Sequence, residues 1–527
     1  MKRLVTSVLV GLATLNVLAQ TAPGRPRLVV GIVVDQMRTD YIEYLRSYFG
    51  ERGFRKLMTD GVYMRDVDFK VGDLDAASAT AMLYTGAYPS QTGVPSSLVY
   101  DNAKHALMPA LADTKTLGNF TNDSYSPENL RLSTISDELA ISGGGVATIY
   151  ALSANPQQAM IMAGHAGTGA AWINNTNGNW ATTTWYKPMP TQISSKNYSS
   201  SLGSRIDTIQ WKPSIPIERM PGLPKQKTLY PFRHTFPRAD RDVYIRFASS
   251  PMGNREVTDV AIECLRGMKM GANDQTVDML NLGYTLAPYK YVKDGDFRAE
   301  LTDSYLRLDK ELARLFDAID KYVGAGNAMI WVSSTGYYDD AVIDDKKYRI
   351  PGGDFSMKRA KSLLNSYLSA RHGNAAYIDA FKDGHIYFDH KVLEDKNLDV
   401  SEVVADARSF LTKMSGVADA YTLDDILSPN TPFEETLRLA MDPKHGGDLI
   451  VTFNPGWTVV DDIEYPATSK PVRETPVLTP AFILGPGVQA ERMDQSVDAT
   501  ALAPTVAGIL RIRSPNGCAT KPILLKN

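Results

Sequence analysis

The chain has 527 residues, of which 43% are hydrophobic and 22% charged, and its formal net charge is -3. This is the composition of a soluble globular protein with a large core. No long basic run is present, so neither nucleic acid nor an anionic membrane surface is an expected partner.

Residues 1–19 carry the parts of a secretory signal peptide: Lys2 and Arg3, an apolar stretch from Leu4 to Leu18, and small residues at Val17 and Ala19. The stretch is shorter than the roughly 20 residues of a spanning helix. The expectation is a cleaved leader and a periplasmic or otherwise exported protein, with no transmembrane segment in the mature chain. Cys264 and Cys518 are the only cysteines. A disulfide and two free thiols are equally open, and two cysteines are too few for a thiolate zinc cluster.

After a Pro/Gly-rich lead, the run from Leu28 to Val34 is apolar and largely β-branched without alternation, and it ends at Asp35. It predicts a strand covered on both faces, as in a parallel sheet. A helical pattern follows to about Met58, then a strand from Met64 to Phe69 and a helix from Ala76 to Tyr84, closed by Thr85 and Gly86. Residues 165–245, rich in Asn, Thr, Ser, Pro and Trp, read as a loop-rich lid. Apolar residues at three- and four-residue steps predict a helix from Leu301 to Val323, followed by a buried strand from Ala328 to Val332. Residues 345–445 read as a small α+β lobe, with strand His385 to Phe388, helix Ser401 to Met414 and a strand near Ala418 to Tyr421. The main sheet is expected to resume at Asp448 to Phe453 and Ala481 to Leu484, before a closing helix from Ala499 to Leu510. The fold class expected is α/β, with a mostly parallel central sheet and inserted cap segments in one domain spanning 24–527.

Several motifs carry a family likeness in their order: Asp35-Gln-Met-Arg38 after the first strand, Tyr84-Thr-Gly-Ala-Tyr-Pro-Ser-Gln-Thr-Gly93, Ala163-Gly-His165, Gly178-Asn-Trp180, Asp303-Ser-Tyr-Leu-Arg-Leu-Asp309, Gly485-Pro-Gly487 and Asp498-Ala-Thr-Ala-Leu-Ala-Pro-Thr505. Together they resemble the alkaline phosphatase superfamily, above all the phosphate-irrepressible alkaline phosphatases and their nucleotide pyrophosphatase/phosphodiesterase relatives. The likeness implies an alkaline-phosphatase-like three-layer sandwich. It also implies a catalytic apparatus, in which active members place a Thr or Ser nucleophile between two zinc ions held by three Asp and three His.

In this sequence most of those positions carry other residues. The nucleophile position, nine before the Thr-Gly pair, holds Ala76, with Ser78 and Thr80 as displaced substitutes. Asp35 is the only retained ligand. Leu286 and Lys290 stand at the Asp-x-x-x-His pair, Thr335 and Gly336 at the Asp-His pair, and Leu478 at the last His. Ser97 replaces the substrate-binding Asn, and Asn155 and Gln157 replace the Lys-x-Arg clamp.

The resemblance therefore implies a pseudoenzyme, with no cofactor expected where active relatives hold zinc. Its expected role is a binding or structural one in the cell envelope, with an envelope protein or glycan as partner. The alternative is a phosphomonoester or phosphodiester hydrolase with a rebuilt metal site, for which Asp73 and Asp75 beside Asp35 offer carboxylates suited to calcium or magnesium. The plainer expectation for Asp73 and Asp75 is helix capping or solvation. Lys290 or Arg473 is expected to neutralise Asp35. His165 is expected to make structural hydrogen bonds, and Asp339, Asp340, Asp344 and Asp345 to form a solvated loop. Trp172, Trp180, Trp185, Tyr337 and Tyr338 are the aromatics available for stacking on a sugar.

Overall fold

The first strand, β1 (Leu28–Asp35), distributes its apolar run to both sides of a sheet. Leu28, Val30, Ile32 and Val34 enter one core layer and Val29 and Val33 the other, all fully buried. Alternation along an extended chain sends successive side chains to opposite faces, and only a sheet covered on both faces tolerates an all-apolar strand. In this computed structural model the described residues are 24–221, 232–293, 295–339, 351–463 and 467–526. The expected leader, residues 1–19, and Asp340, Asp344 and Asp345 lie outside them.

The chain continues through β2 (Val62–Met64), β3 (Gly118–Asn119), β4 (Ile149–Ser153), β5 (Gly169–Ile173), β6 (Trp180–Thr183), β7 (Asp278–Thr285) and β8 (Ala328–Ser334). Next come the lobe strands β9 (Gly353–Ser356), β10 (Ile378–Lys382), β11 (His385–Phe388), β12 (Val417–Thr422), β13 (Leu449–Phe453), β14 (Trp457–Asp461) and β15 (Thr468–Pro471), before β16 (Ala481–Leu484) and β17 (Glu491–Met493) return. Among the described residues the main sheet has the order β17-β2-β16-β8-β1-β7-β4-β5-β6-β3. Its centre is parallel, with β1 between β7 and β8, and β16 and β6 run antiparallel to their neighbours. Two helices matter for the site: α1 (Ala76–Thr85) and α2 (Arg298–Tyr322). No described helix is long and apolar enough to cross a membrane.

Three sequence expectations change. The segment 165–245 is not loop alone, because β5 and β6 join the main sheet and bury Trp172 and Trp180. The strand expected to resume the main sheet at Asp448 to Phe453 is β13, which pairs instead with β11 and β12 in a separate four-stranded sheet. That sheet has its own core around Phe355, Leu364, Ile386, Val403 and Leu449. Periodicity reveals that a strand is buried but not which sheet buries it. The strand expected over Met64 to Phe69 is broken, with a second short piece at Val67–Asp68. Both cysteines are free: Cys264 is buried, and the Cys518 thiol donates to the Thr85 carbonyl at 3.3 Å.

Candidate functional site

The carboxyl ends of β1, β7 and β8 and the start of α1 meet above the sheet, where open α/β folds place their sites. Asp35 is the last residue of β1. The Thr335 hydroxyl donates to its Oδ1 at 2.9 Å and accepts the Gln36 amide at 2.9 Å. Burial pushes the Asp35 carboxyl up to about 7; hydrogen bonds from the Tyr337 and Thr335 hydroxyls oppose the shift, and the charges of Asp339 and Asp75 add to it. The neighbouring Gln36 sits at φ 58, in the left-handed region. Its side chain grips Asp339 in both directions, donating to Oδ2 at 3.0 Å and accepting the Asp339 amide at 3.0 Å.

Ala76 opens α1, and Asp75 caps it. One Asp75 carboxylate oxygen accepts the amides of Ala77 and Ser78, both at 3.0 Å. The other accepts the Ser97 amide at 2.6 Å, the Ser96 hydroxyl at 3.2 Å and the Ser97 hydroxyl. The capping expectation for Asp75 holds, while Asp73 is exposed. Ser78 and Thr80 are fully buried. The Ser78 hydroxyl completes the capping box by accepting the Asp75 amide at 2.9 Å, and the Thr80 hydroxyl donates back to the Ala76 carbonyl at 2.5 Å. Both hydroxyls are thus engaged with groups of their own helix turn.

The remaining positions are occupied structurally. Leu286 is buried in the core layer that holds Val34, and its amide donates to the Asp35 carbonyl at 2.8 Å. Gly336 has φ 73, and a Cβ there would overlap the Phe69 ring. Leu478 is 37% exposed, and its carbonyl accepts the Thr39 amide at 3.0 Å. Asn155 caps the helix Pro156–Ala163, accepting the amides of Gln157 and Gln158 at 3.0 and 3.2 Å. Gln157 donates to the Ser97 carbonyl at 2.9 Å and accepts the Leu111 amide at 3.2 Å. Lys290 does not neutralise Asp35; its ammonium lies 3.4 Å from Asp339. Asp35 is contacted instead by the Thr335 hydroxyl, which offsets its burial only in part.

His165 behaves as its sequence context suggests, bonding Asp137 at 3.0 Å and the Leu130 carbonyl at 2.8 Å. Trp172 and Trp180 are core residues and offer no sugar platform. Asp35, Asp73 and Asp75 do not gather into a ligand set. Among the described residues, the group with ligand atoms mutually within 4.8 Å is His105, Asp379 and Asp389, at the partly exposed junction of the Leu98–Asp101/Ala106–Pro109 hairpin with the lobe. Sequence reasoning missed this convergence, as it missed the role of Gln36, because no local motif marks contacts made across hundreds of residues.

The model of the Type I phosphodiesterase / nucleotide pyrophosphatase family matches residues 29–476. The chain belongs to this family, within the alkaline phosphatase superfamily. It is 28% identical to alkaline phosphatase PafA of Elizabethkingia meningoseptica over 543 residues, covering 99% of this chain and 98% of that protein. It is 26% identical to alkaline phosphatase PhoV of Synechococcus elongatus over 529 residues, covering 96% and 94%. A crystal structure of PafA substituted at a threonine, an asparagine, a lysine and an arginine superposes with a TM-score of 0.84 at 27% identity, covering 95% of this chain and 99% of that one. The expected alkaline-phosphatase-like architecture is therefore the fold of this chain.

Proposed function

We propose that this family member retains the phosphatase scaffold without its chemistry and acts, after export, as a binding or structural protein of the cell envelope. The observation that carries the reading lies at the first turn of α1. Ala76 offers a methyl group where the family carries its nucleophile, and both nearby hydroxyls are committed to the helix itself. The sequence separation of the substituted threonine and asparagine in the PafA variant equals that between Ala76 and Ser97. Its lysine and arginine are as far apart as Asn155 and Gln157. These spacings support the registration.

The residues at the metal positions do not fit zinc. A zinc site takes nitrogen, sulfur or carboxylate oxygen donors, usually four. Here the six positions supply one carboxylate, one hydroxyl, one glycine, two leucines and an ammonium. The hydroxyl already bonds the carboxylate, and the ammonium would repel a dication. No hydrolytic step follows from this set. The partner this reading favours is another envelope protein, or a glycan, received at the surface around the altered pocket.

A second reading is a phosphomonoester or phosphodiester hydrolase with a rebuilt metal site. The names of the relatives, taken alone, favour it over the first. Turnover of 4-nitrophenyl phosphate and bis(4-nitrophenyl) phosphate, with zinc, magnesium, manganese and calcium supplied in turn, separates the two. The first reading expects rates at the no-protein background throughout. Saturable turnover with any one metal, abolished by Asp35→Ala, sinks it in favour of the second.

A further inference from the structure

The hairpin Leu98–Asp101/Ala106–Pro109 lies between the core and the small lobe, with His105 at the end of its turn. Val99 is buried in the core layer that holds α1, while Tyr100 packs on Tyr387 of β11 with ring centroids 4.5 Å apart. Nearby, Arg131 holds the buried Asp442 of the lobe at 2.9 Å, and His445 Nδ1 lies 3.3 Å from the Tyr100 carbonyl. Core and lobe are thus fixed against each other here by protein contacts alone. A site needs such support to hold its donors in place.

Three donors from different segments converge at this junction. Asp379 falls at a register shift in β10: Ile378 pairs with Phe388 and Ala380 with Tyr387, so Asp379 is the extra residue. Such a bulge re-aims its side chain, and the Asp379 carboxylate meets the hairpin. Its Oδ2 accepts the Tyr100 hydroxyl and lies 2.5 Å from His105 Nδ1. Asp389 follows β11, and its amide donates to the Tyr377 carbonyl at 2.9 Å, which carries its carboxylate to the same side of the pair. Asp389 Oδ1 accepts the Val392 amide at 3.0 Å and caps the helix His390–Asp395; among the described residues its Oδ2 accepts no hydrogen bond. The ligand atoms of His105, Asp379 and Asp389 lie mutually within 4.8 Å. Donors bound at about 2.0–2.2 Å to one zinc ion lie within about 4 Å of one another, so the set is close to closed around a single ion. Of the flanking cations, Lys361 is turned to the Asp379 carbonyl at 2.6 Å, Lys104 to Asp101 at 3.5 Å, and Lys391 is exposed. His390 is engaged elsewhere, 2.8 Å from Asp448.

We propose that His105, Asp379 and Asp389 form a site for one divalent transition-metal ion of the zinc class, which bridges the core hairpin to the lobe. Two carboxylates balance the charge of a dication, and the imidazole adds a nitrogen donor that calcium and magnesium, which take oxygen ligands, do not favour. Water completes the shell. The site shares no residue with the positions around Asp35, and it stands whether or not those positions are inert. Three protein donors at a partly exposed junction exchange their ion, so this zinc leaves on dialysis; zinc that survives dialysis reports on the positions around Asp35.

The test is calorimetric titration of zinc chloride into the dialysed protein, for the parent and for His105→Asn, Asp389→Asn and Asp35→Asn. Asparagine suits the left-handed backbone of His105, at φ 49, and keeps the helix cap at 389, so both junction variants should fold. The parent is expected to take up one exchangeable zinc. His105→Asn and Asp389→Asn should each weaken that uptake about tenfold or more, while Asp35→Asn binds as the parent does. No saturable uptake by the parent, parental uptake in either junction variant, or loss of all uptake in Asp35→Asn overturns the site. A second equivalent that Asp35→Asn alone removes leaves the junction site standing and counts against the metal-free reading of the former catalytic positions.

Discussion

Thr335 donates its hydroxyl proton to Asp35 across 2.9 Å, joining the ends of two adjacent parallel strands. The contact uses one of the Asp35 oxygens and places an oxygen acceptor for the Gln36 amide at the same point. Asp35 is thus stabilised by neutral donors, and its raised pKa follows from burial without a cation strong enough to offset it.

The first prediction follows from that shift. The Asp35 carboxyl is pushed up to about 7 in the native protein, against about 4 in an unfolded chain. Its stabilising contribution is complete below the unfolded value and is lost as the pH rises through the folded one. Asp35→Asn removes the cost, so the variant should exceed the parent by about 1–2 kcal/mol at about pH 8 and match it near pH 4 in denaturant titrations. A loss of stability at alkaline pH would mean that the carboxylate has a cationic partner.

Gly336 provides the second. Its φ of 73 and the overlap of any Cβ with Phe69 leave no room for a side chain. Gly336→Ala should destabilise by about 2–3 kcal/mol, measured by chemical denaturation. A neutral outcome would show that this loop yields, and would reopen the position to a ligand side chain.

Ala76→Thr tests the proposed reading at the first turn of α1. A hydroxyl restored at the first turn of α1 still meets the Thr335-bonded Asp35, the buried Leu286 and the Asp339-paired Lys290. Stability should change by less than about 0.5 kcal/mol, since the position starts a helix and is half-buried. Phosphatase activity should remain at background with zinc present. Recovery of turnover by this single change would require the metal set to be intact.

The fourth prediction concerns the His165–Asp137 pair. Burial pulls the His165 imidazole down, but Asp137 and the Leu130 carbonyl outweigh it and leave the pKa raised. Burial lifts Asp137, yet His165 and the amides of Ala166 and Thr134 hold it below the usual carboxylate range. The histidine's contribution is therefore full below about pH 6.5 and fades as the pH rises through its raised value. His165→Gln should cost about 1 kcal/mol near pH 6 and progressively less towards pH 9. A pH-independent cost would mark a packing role alone.

Much of the scaffold was legible before the structure. The apolar run ending at Asp35, the periodic helix ending near Tyr322 and the Ala481–Leu484 strand fall where their patterns put them, because burial on two faces or one leaves a direct trace in residue type. Sheet membership leaves no such trace: β13 and β16 look alike in sequence, and only long-range pairing assigns one to the lobe and the other to the core. At the site, the capping role of Asp75 could be read locally. The roles of Thr335 and Gln36 could not, since each depends on a partner far along the chain. Lys290 was correctly seen as a cation near the site but assigned the wrong carboxylate, Asp35 in place of Asp339.

The most direct measurement is the zinc content of the protein, purified without chelator, incubated with excess zinc and then dialysed. The account predicts well under one bound zinc per chain, because one hydroxyl-bonded carboxylate cannot supply the donors that a tight site needs. Two zinc ions retained per chain would contradict it and return the protein to the catalytic members of its family.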